Sequence, residues 1–438
     1  MIKMKEYAKT AKEMLEFIEE SPTCFQAVAG LKKLLKKEGF SELKETEDWK
    51  SLEKGGKYYV VRNSSSIIAF HIPTQEKCEG KYRGFHMAAA HSDSPTFKIK
   101  ENAEMKVEEK YIRLNTEKYG GMILSTWLDR PLSVAGRIVI KGKKGLEEKL
   151  VNVDKDLCVI PNLAIHMNRE MNKGVEYNPQ VDMLPLFGQP KEEEKTEGML
   201  LKEVAEAAEV DAKDIYGHDL FLYVRDKGRI LGSNGEFVLS PRLDDLQSAF
   251  SIMKGFLEAE PEEYINVCAV FDNEEVGSGT RQGADSTFLE DVLVRMCEGL
   301  GLSQGEYRRL VAGSFLISAD NAHAVHPNHP EKADPTNRPY INGGVVIKYH
   351  GGQKYTTDAF STAVMKSVCE EAGVPWQTYT NRSDVAGGST LGNISTAHVS
   401  VPSVDIGLPQ LSMHSAVETA GIRDTQYCIK ALRRFYQA

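Results

Sequence analysis

Beyond Pro241 the chain alternates between short apolar runs and longer amphipathic segments, and this alternation restricts the folds open to it. Strands are predicted at INVCAVF (265–271), SFLISAD (314–320) and SVDIGLP (403–409). Helices are predicted at DLQSAFSIMKGFLEAE (245–260), STFLEDVLVRMCEGL (286–300) and DAFSTAVMKSVCEEAG (358–373). Because the strands are almost uninterrupted apolar runs, helices must cover both faces of their sheet. The sequence therefore predicts an α/β fold built on a doubly covered mixed sheet.

The middle of the chain has a different pattern. Short β-like runs such as YIRLN (111–115) and SVAGRIVI (133–140) are separated by turns such as KGKKG (141–145). One helix is expected near Leu201 to Ala208. A chain of 438 residues also exceeds the size of one ordinary hydrophobic core. The domains are therefore predicted as 1–96 and 234–438, which form the two parts of one domain, and 97–233, which is a mostly β insertion.

The composition argues against several classes of protein. The formal net charge is −9, whereas a nucleic-acid partner requires a basic surface. No apolar stretch approaches the ~20 residues of a membrane span, and the N-terminal segment has the spacing of an amphipathic helix, not of a signal peptide. The cysteines are dispersed without a C-x-x-C pair, which is typical of reduced thiols. We expect a cytoplasmic protein without nucleic-acid or membrane partners.

Polar side chains follow five of the apolar runs at the point where each run ends. In open α/β sheets, functional sites form at the carboxyl ends of the strands. If the five runs belong to one sheet, their polar ends could meet along one edge. The candidate side chains are His91 and Asp93, Asp244 and Asp245, Glu274 and Glu275, Asp320, and His414.

Two histidines and several carboxylates form a ligand set that suits two divalent ions. Two ions about 3.5–4 Å apart can together activate water and polarise a carbonyl. Such a site also needs an acid–base residue that is not a ligand, and the adjacent Glu274 and Glu275 can supply both roles. Asp93 could orient the imidazole of His91. Each feature alone has an ordinary explanation, since Asp244 could simply cap a helix.

With these residues together, the chain closely resembles the aspartyl aminopeptidase family of dinuclear zinc exopeptidases. The resemblance extends over almost the whole chain. It is carried by AAAHSDSPTFKIK (88–100), IPNLAIHMNR (160–169), SPRLDDLQSAF (240–250), FDNEEVGS (271–278), SADNAHAVHPN (318–328), NGGVVIK (342–348) and QLSMHS (410–415).

The resemblance implies a metal-dependent aminopeptidase that releases N-terminal residues, preferably Asp or Glu, from peptides. The implied ligands are His91 and Asp320 for one ion, Glu275 and His414 for the other, and Asp244 as the bridge. Glu274 would be the general base, and Asp93 would support His91. Zinc is the expected metal of both sites, and manganese and cobalt also fit.

The resemblance also implies roles for the insertion and for the substrate pocket. Family members build tetrahedral dodecamers, in which the insertion at 97–233 is the dimerisation domain and 1–96 and 234–438 form the catalytic domain. His166 would reach the active site of a neighbouring subunit, and His323 and His326 would line the substrate pocket. Lys348 would select an acidic side chain, although from the residues alone it could be an exposed strand residue.

Three departures from the family pattern bear on substrate preference. Ala386, Gly387 and Gly388 stand where proline, cysteine and glycine are usual, Asp245 replaces an asparagine, and Leu128 replaces a phenylalanine. None of them removes a proposed ligand, but a shifted side-chain preference becomes possible. The same ligand set would also serve a related dinuclear amidohydrolase, either a carboxypeptidase or an N-acyl deacylase. A non-catalytic scaffold could retain the fold without the reaction, but it should have lost a ligand or the base.

Overall fold

The computed structural model describes residues 2–50, 52–78, 81–143, 145–191 and 195–438. Within these ranges the α-helices are α1 (Ile2–Glu19), α2 (Cys24–Lys37), α3 (Gln75–Cys78), α4 (Met199–Ala208), α5 (Leu243–Leu257), α6 (Phe288–Gly299), α7 (Gln304–Ala312), α8 (Ala359–Glu371), α9 (Leu391–His398) and α10 (Asp424–Tyr436). None of the helices in the described ranges is long and apolar enough to cross a membrane.

The strands of the first half are β1 (Ser41–Glu42), β2 (Lys57–Arg62), β3 (Ser66–His71), β4 (Phe85–His91), β5 (Thr96–Val107), β6 (Tyr111–Tyr119), β7 (Leu132–Gly142), β8 (Gly145–Asn152), β9 (Leu186–Gly188) and β10 (Ile215–Val224). Those of the second half are β11 (Arg229–Leu231), β12 (Phe237–Ser240), β13 (Ile265–Phe271), β14 (Phe315–Ala319), β15 (Ala322–His323), β16 (Val345–Lys348), β17 (Trp376–Tyr379), β18 (Ser403–Gly407), β19 (Pro409–Leu411) and β20 (Glu418–Gly421).

The largest sheet has nine strands in the order β1-β2-β3-β13-β4-β14-β18-β16-β17. Its centre is parallel, because β4 pairs in parallel with β13 and β14, and β14 with β18. The flanking pairs β13–β3 and β18–β16 are antiparallel. The mixed sheet expected from the sequence is confirmed.

Helices cover both faces of this sheet. On β4, Ala88 and Ala90 belong to a hydrophobic cluster that includes buried residues of α1, α2, α5 and α10. The intervening Met87 and Ala89 belong to a second cluster, which includes buried residues of α6 and α7. Every residue of β4, β13, β14 and β18 is buried, as burial on both faces requires.

A second sheet has six strands in the order β8-β7-β10-β5-β6-β9, and its strand pairs are antiparallel. It has its own hydrophobic cluster, which includes Phe97, Leu114 and Leu220 of the sheet and Leu200 and Val204 of α4. The helix predicted near residues 201–208 is α4. The domain boundaries at residues 97 and 233 stay predictions.

One expectation about the strands is wrong. The apolar run before Asp244, FVLS (237–240), could have shared one sheet with the other four runs, but it forms β12 of a third sheet, in the order β11-β12-β20-β19-β15. The reason is its burial, because β12 alternates between exposed and buried residues, with Phe237 37% exposed. A strand with one solvent-exposed face cannot occupy the centre of the large sheet, which helices cover on both faces.

Gly255 provides a test of the packing between α5 and α10. A Cβ at this position would lie 2.6 Å from Cβ of Leu432 and 3.1 Å from the main-chain nitrogen of Arg433. Gly255→Ala gains about 1 kcal/mol of helix propensity but incurs an overpacking cost of about 1–3 kcal/mol. We expect a net loss in the free energy of unfolding, measured by chemical denaturation.

Gly305→Ala in α7 is the matched control, because the nearest atom to its Cβ would be 3.8 Å away. This substitution should be neutral or stabilising by up to about 1 kcal/mol. Equal effects of the two substitutions would contradict the account of close packing at Gly255.

Candidate metal centre

The carboxyl ends of adjacent parallel strands place four of the candidate side chains at one edge of the large sheet. His91 is the last residue of β4, and Asp320 directly follows β14. Glu274 and Glu275 lie in a short 3-10 turn just after β13. Because β13, β4 and β14 are neighbours in the sheet, these side chains converge although they are far apart in sequence.

Two further candidates reach the same place from other elements. Asp244 lies at the start of α5, and His414 lies in the turn between β19 and β20. One carboxylate oxygen of Asp244 is 3.6 Å from Nε2 of His91, and the other is 3.4 Å from Nε2 of His414. Nε2 of His414 is also 3.4 Å from Oε2 of Glu275. Asp244 therefore lies between the two imidazoles, as a bridging carboxylate would.

The ligand atoms form overlapping groups in which all atoms lie within 4.8 Å of one another. The groups are His91 with Asp244, Asp245 and Asp320; His91 with Glu274 and Glu275; and Asp244 with Glu275 and His414. Asp245, which was not expected to be a ligand, joins the first group. Its Oδ2 also accepts a hydrogen bond from the main-chain N–H of His91 at 3.2 Å.

Both imidazoles present Nε2 to the carboxylates because their Nδ1 atoms are bonded elsewhere. Nδ1 of His91 lies 3.0 Å from the main-chain oxygen of Asp93 and 3.3 Å from its Oδ1. Nδ1 of His414 lies 2.9 Å from the main-chain oxygen of Gly121. Since these oxygens accept, each Nδ1 carries a proton and the neutral ring has a lone pair on Nε2. This is the tautomer that a metal ligand requires.

The residues present fit divalent ions. Oδ1 of Asp244 and Oε1 of Glu275 are buried without a hydrogen-bond partner among the described residues. A buried carboxylate oxygen without a partner is costly, and a cation would satisfy it. Imidazole nitrogens with carboxylate oxygens form a donor set that suits zinc.

Asp93 is held by three donors. Its carboxylate accepts the hydroxyl of Tyr119 at 2.6 Å and the main-chain N–H groups of Glu274 and Glu275, each at 3.2 Å. Tyr119 is the last residue of β6 in the six-stranded sheet, and from the sequence alone it is interpreted as a packing or interface residue. Its position at a strand end, directly before Gly120 and Gly121, is the feature that could have identified it.

Lys348 lies behind Asp320. It is buried in β16, where its ammonium donates to the main-chain oxygen of Asp320 at 2.8 Å and lies 3.5 Å from the Asp320 carboxylate. The ammonium also lies 5.1 Å from the centre of the Tyr355 ring. The interpretation of Lys348 as an exposed strand residue is therefore wrong, while its role in substrate selection stays a prediction.

The other three predicted histidines lie outside these ligand groups. His323 is in β15, and its ring centre is 6.0 Å from that of Tyr379. His326 is in the following loop, where its Nδ1 accepts the main-chain N–H of Asn328 at 3.2 Å. His166 is exposed in an irregular segment of the chain. Their proposed contacts with substrate stay predictions.

Known proteins resemble this chain over almost its whole length. The family of aminopeptidase I zinc metalloproteases (M18) matches residues 17–436. The chain belongs to the M18 family. A probable M18 family aminopeptidase 2 from Clostridium novyi (strain NT) is 51% identical over 435 residues, which cover 99% of this chain and 100% of that one.

Solved structures are similar over nearly the whole length. A chain of the cryo-EM structure of the Ape4 and Nbr1 complex has a TM-score of 0.94 and 36% identity, covering 98% of this chain and 86% of that one. The S. cerevisiae mApe1 dodecamer has a TM-score of 0.84 and 28% identity, with 98% and 97% covered. This M18 chain is a zinc aminopeptidase, and its two-domain α/β architecture is that of its structural neighbours.

The charges of the metal centre perturb one another. Burial raises the pKa of the Glu274 carboxyl to about 8, and the negative charges of Asp320 and Asp93 add to this effect. Burial and the charge of Asp244 likewise raise the pKa of Glu275 well above its usual value. Burial alone would lower the pKa of His414, but its contacts with Asp244 and Glu275 raise it to about 10. The metal-free aminopeptidase therefore holds protons in this site at neutral pH.

The protons on the proposed ligands must leave when metal binds, so zinc affinity should depend on pH. Lowering the pH keeps the raised-pKa groups His414 and Glu275 protonated, which opposes metal binding. We expect the apparent zinc affinity to fall by about tenfold per pH unit for each displaced proton between about pH 8 and 6. Calorimetric titration of the metal-free protein in buffers of different ionisation enthalpy would count the released protons. A pH-independent affinity without proton release would contradict this account.

Proposed function

We propose that this M18 aminopeptidase releases N-terminal residues, preferably Asp or Glu, from peptides by using two divalent ions and Glu274 as the general base. The observation that carries the proposal is the position of Asp244 between His91 and His414. One shared carboxylate between two histidines is the arrangement expected for a pair of ions, since a single ion would leave one histidine unused.

The proposed ligands divide into two sets that share Asp244. His91, Asp320 and Asp244 would hold one ion, and Glu275, His414 and Asp244 would hold the other. When bound, the ions would polarise the peptide carbonyl and lower the pKa of water. Zinc is the proposed metal, in agreement with the family of metalloproteases that the chain matches.

Glu274 is the proposed acid–base residue because it is more accessible than its neighbour. Its side chain is 16% exposed, whereas that of Glu275 is 3% exposed. Its pKa, raised to about 8 by burial and nearby carboxylates, suits a group that must both accept and return a proton near neutral pH. Glu274 would take a proton from water and deliver it to the leaving amine. Asp93 would keep the imidazole of His91 in the required orientation.

The preference for acidic residues is proposed from the charge and position of Lys348. Its ammonium lies close to the metal centre through its contacts with Asp320. A substrate carboxylate would share this ammonium with Asp320. His323 and His326 are proposed to line the rest of the pocket. Ala386, Gly387 and Gly388 differ from the residues that are usual in the family, so a preference for another N-terminal side chain is the alternative proposal.

We also propose a homo-oligomer, a dodecamer built from dimers. Exposed apolar side chains mark interaction surfaces when they occur together. The segment around His166 presents Leu163 (49% exposed), Ile165 (42%) and Met167 (74%), which supports burial against another subunit and contact of His166 with a neighbouring active site. The mApe1 neighbour is itself a dodecamer. A cytoplasmic location is supported by six free, buried cysteines among the described residues.

A panel of short peptides tests the reaction and its specificity together. The zinc-loaded protein would be given peptides with N-terminal Asp, Glu, Leu, Lys or Ala, each with an N-acetylated counterpart, and product release would be followed by chromatography. We expect fast cleavage of the free Asp and Glu peptides and none of the acetylated ones. Preferred cleavage of the Leu or Lys peptides would contradict the acidic specificity but not the aminopeptidase reaction. Equal cleavage of acetylated peptides would favour the deacylase, and release of C-terminal residues the carboxypeptidase.

Glu274→Gln tests the general base. The amide is nearly isosteric with the carboxylate but cannot accept the proton, so turnover should fall by roughly 10²–10⁴-fold while zinc content is unchanged. Turnover is measured with the best peptide of the panel, and zinc content by elemental analysis. Glu262→Gln, which neutralises an exposed carboxylate, controls for the loss of one charge. Full activity of the Glu274 variant would assign proton transfer to another group.

A further inference from the structure

Glu418 connects the main chains of two proposed metal ligands. It is the first residue of β20 and is 2% exposed. Its Oε2 accepts the main-chain N–H of Asp244 at 3.0 Å, and its Oε1 accepts the main-chain N–H of His414 at 2.8 Å. One carboxylate therefore holds the start of α5 and the β19–β20 turn at a fixed separation.

The contacts of Glu418 continue to the third ligand-bearing segment of the site. Nε2 of Gln410 lies 3.4 Å from Oε1 of Glu418, and Oε1 of Gln410 accepts Nδ2 of Asn321 at 2.9 Å. Asn321 directly follows the proposed ligand Asp320 and also donates from Nδ2 to the main-chain oxygen of Leu243, which precedes Asp244, at 3.0 Å. Glu418, Gln410 and Asn321 are all nearly fully buried, so water does not compete for these hydrogen bonds.

A carboxylate in this position is unfavourable unless hydrogen bonds offset the cost of burying its charge. It is buried close to the carboxylate of Asp244, and a buried charge is costly unless its oxygens are satisfied. Its two oxygens are satisfied by the N–H groups of Asp244 and His414. A neutral side chain would avoid the added negative charge. Only a carboxylate, however, offers two acceptor oxygens that can bind both N–H groups at once.

We infer that Glu418 is a positioning residue that sets the separation of Asp244 and His414 and thereby the zinc affinity of the site that they share. It acts through the main chain of these ligands and touches neither metal nor substrate. The inference rests on the proposed function, because it takes Asp244 and His414 as ligands.

Asp424 provides a matched comparison for a purely structural carboxylate. It is also fully buried, and its two oxygens accept the main-chain N–H groups of Asn342 at 2.7 Å and of Gly344 at 3.0 Å. Neither of these partners belongs to a ligand group. Asp424→Asn should therefore reduce stability without changing zinc affinity.

The experiment compares Glu418→Gln with Asp424→Asn in the full-length protein. Glutamine replaces one acceptor oxygen with a donor, so the Asp244 or the His414 N–H loses its partner. Zinc affinity is measured by competition with a chelating dye, and stability by thermal unfolding without metal. We expect Glu418→Gln to weaken zinc binding by about 10–100-fold and Asp424→Asn to leave it at the wild-type value, with similar losses of stability in both.

Two results would overturn the inference. One is a Glu418→Gln protein that loses stability as Asp424→Asn does but binds zinc like the wild type. The other concerns Glu418→Asp, a variant that keeps the negative charge and is used if Glu418→Gln does not fold. Aspartate is one methylene shorter and cannot bridge both N–H groups, so wild-type zinc affinity in that variant would also exclude positioning by Glu418.

The zinc titration separates this inference from the proposed function. A wild-type protein that fails to bind zinc in the competition assay would refute the proposed ligand set and the inference together. A wild-type protein that binds zinc and cleaves the peptide panel, with Glu418 variants of equal affinity, would refute the positioning role alone.

Discussion

Repulsion among buried carboxylates is the constraint on which the structure of this site depends. Asp244, Asp245 and Asp320 converge on His91, and Glu275 converges on His414. Burial raises the pKa of Asp245 and of Glu275 well above their usual values, and the negative charge of Asp244 adds to the effect. Such a cluster persists only where the backbone holds it rigidly and where cations or protons offset its charge. The arrangement of these residues therefore suits a cation, as the proposed metal site requires.

The rigidity comes from three sheets that meet at the metal centre. The large sheet supplies the strand ends that carry His91, Glu275 and Asp320, and its doubly covered core leaves little freedom there. The third, five-stranded sheet supplies Glu418, which binds the main chains of the proposed ligands Asp244 and His414. The six-stranded sheet supplies Tyr119, which binds Asp93.

The sequence predicts those parts of the site that depend on local pattern. β4, β13 and β14 are continuous apolar runs, so their polar ends could be assigned without knowledge of the partners. The five-stranded sheet could not be predicted, since β12 pairs with β20, far away in sequence. The role of Glu418 could not be predicted either, because it accepts main-chain N–H groups, and such contacts leave no residue pattern. Lys348 was ambiguous because only tertiary packing decides whether a lysine at a strand end is buried.

The position of residues 119–121 links the inserted sheet to both imidazoles. The hydroxyl of Tyr119 fixes Asp93, which in turn accepts from Nδ1 of His91. The main-chain oxygen of Gly121 accepts from Nδ1 of His414. The tautomers of both histidines are thus set by, or through, a turn at the end of β6. This short segment therefore orients both proposed histidine ligands from outside the large sheet, because Tyr119 and Gly121 act on the side of each ring that faces away from the carboxylates of the other proposed ligands.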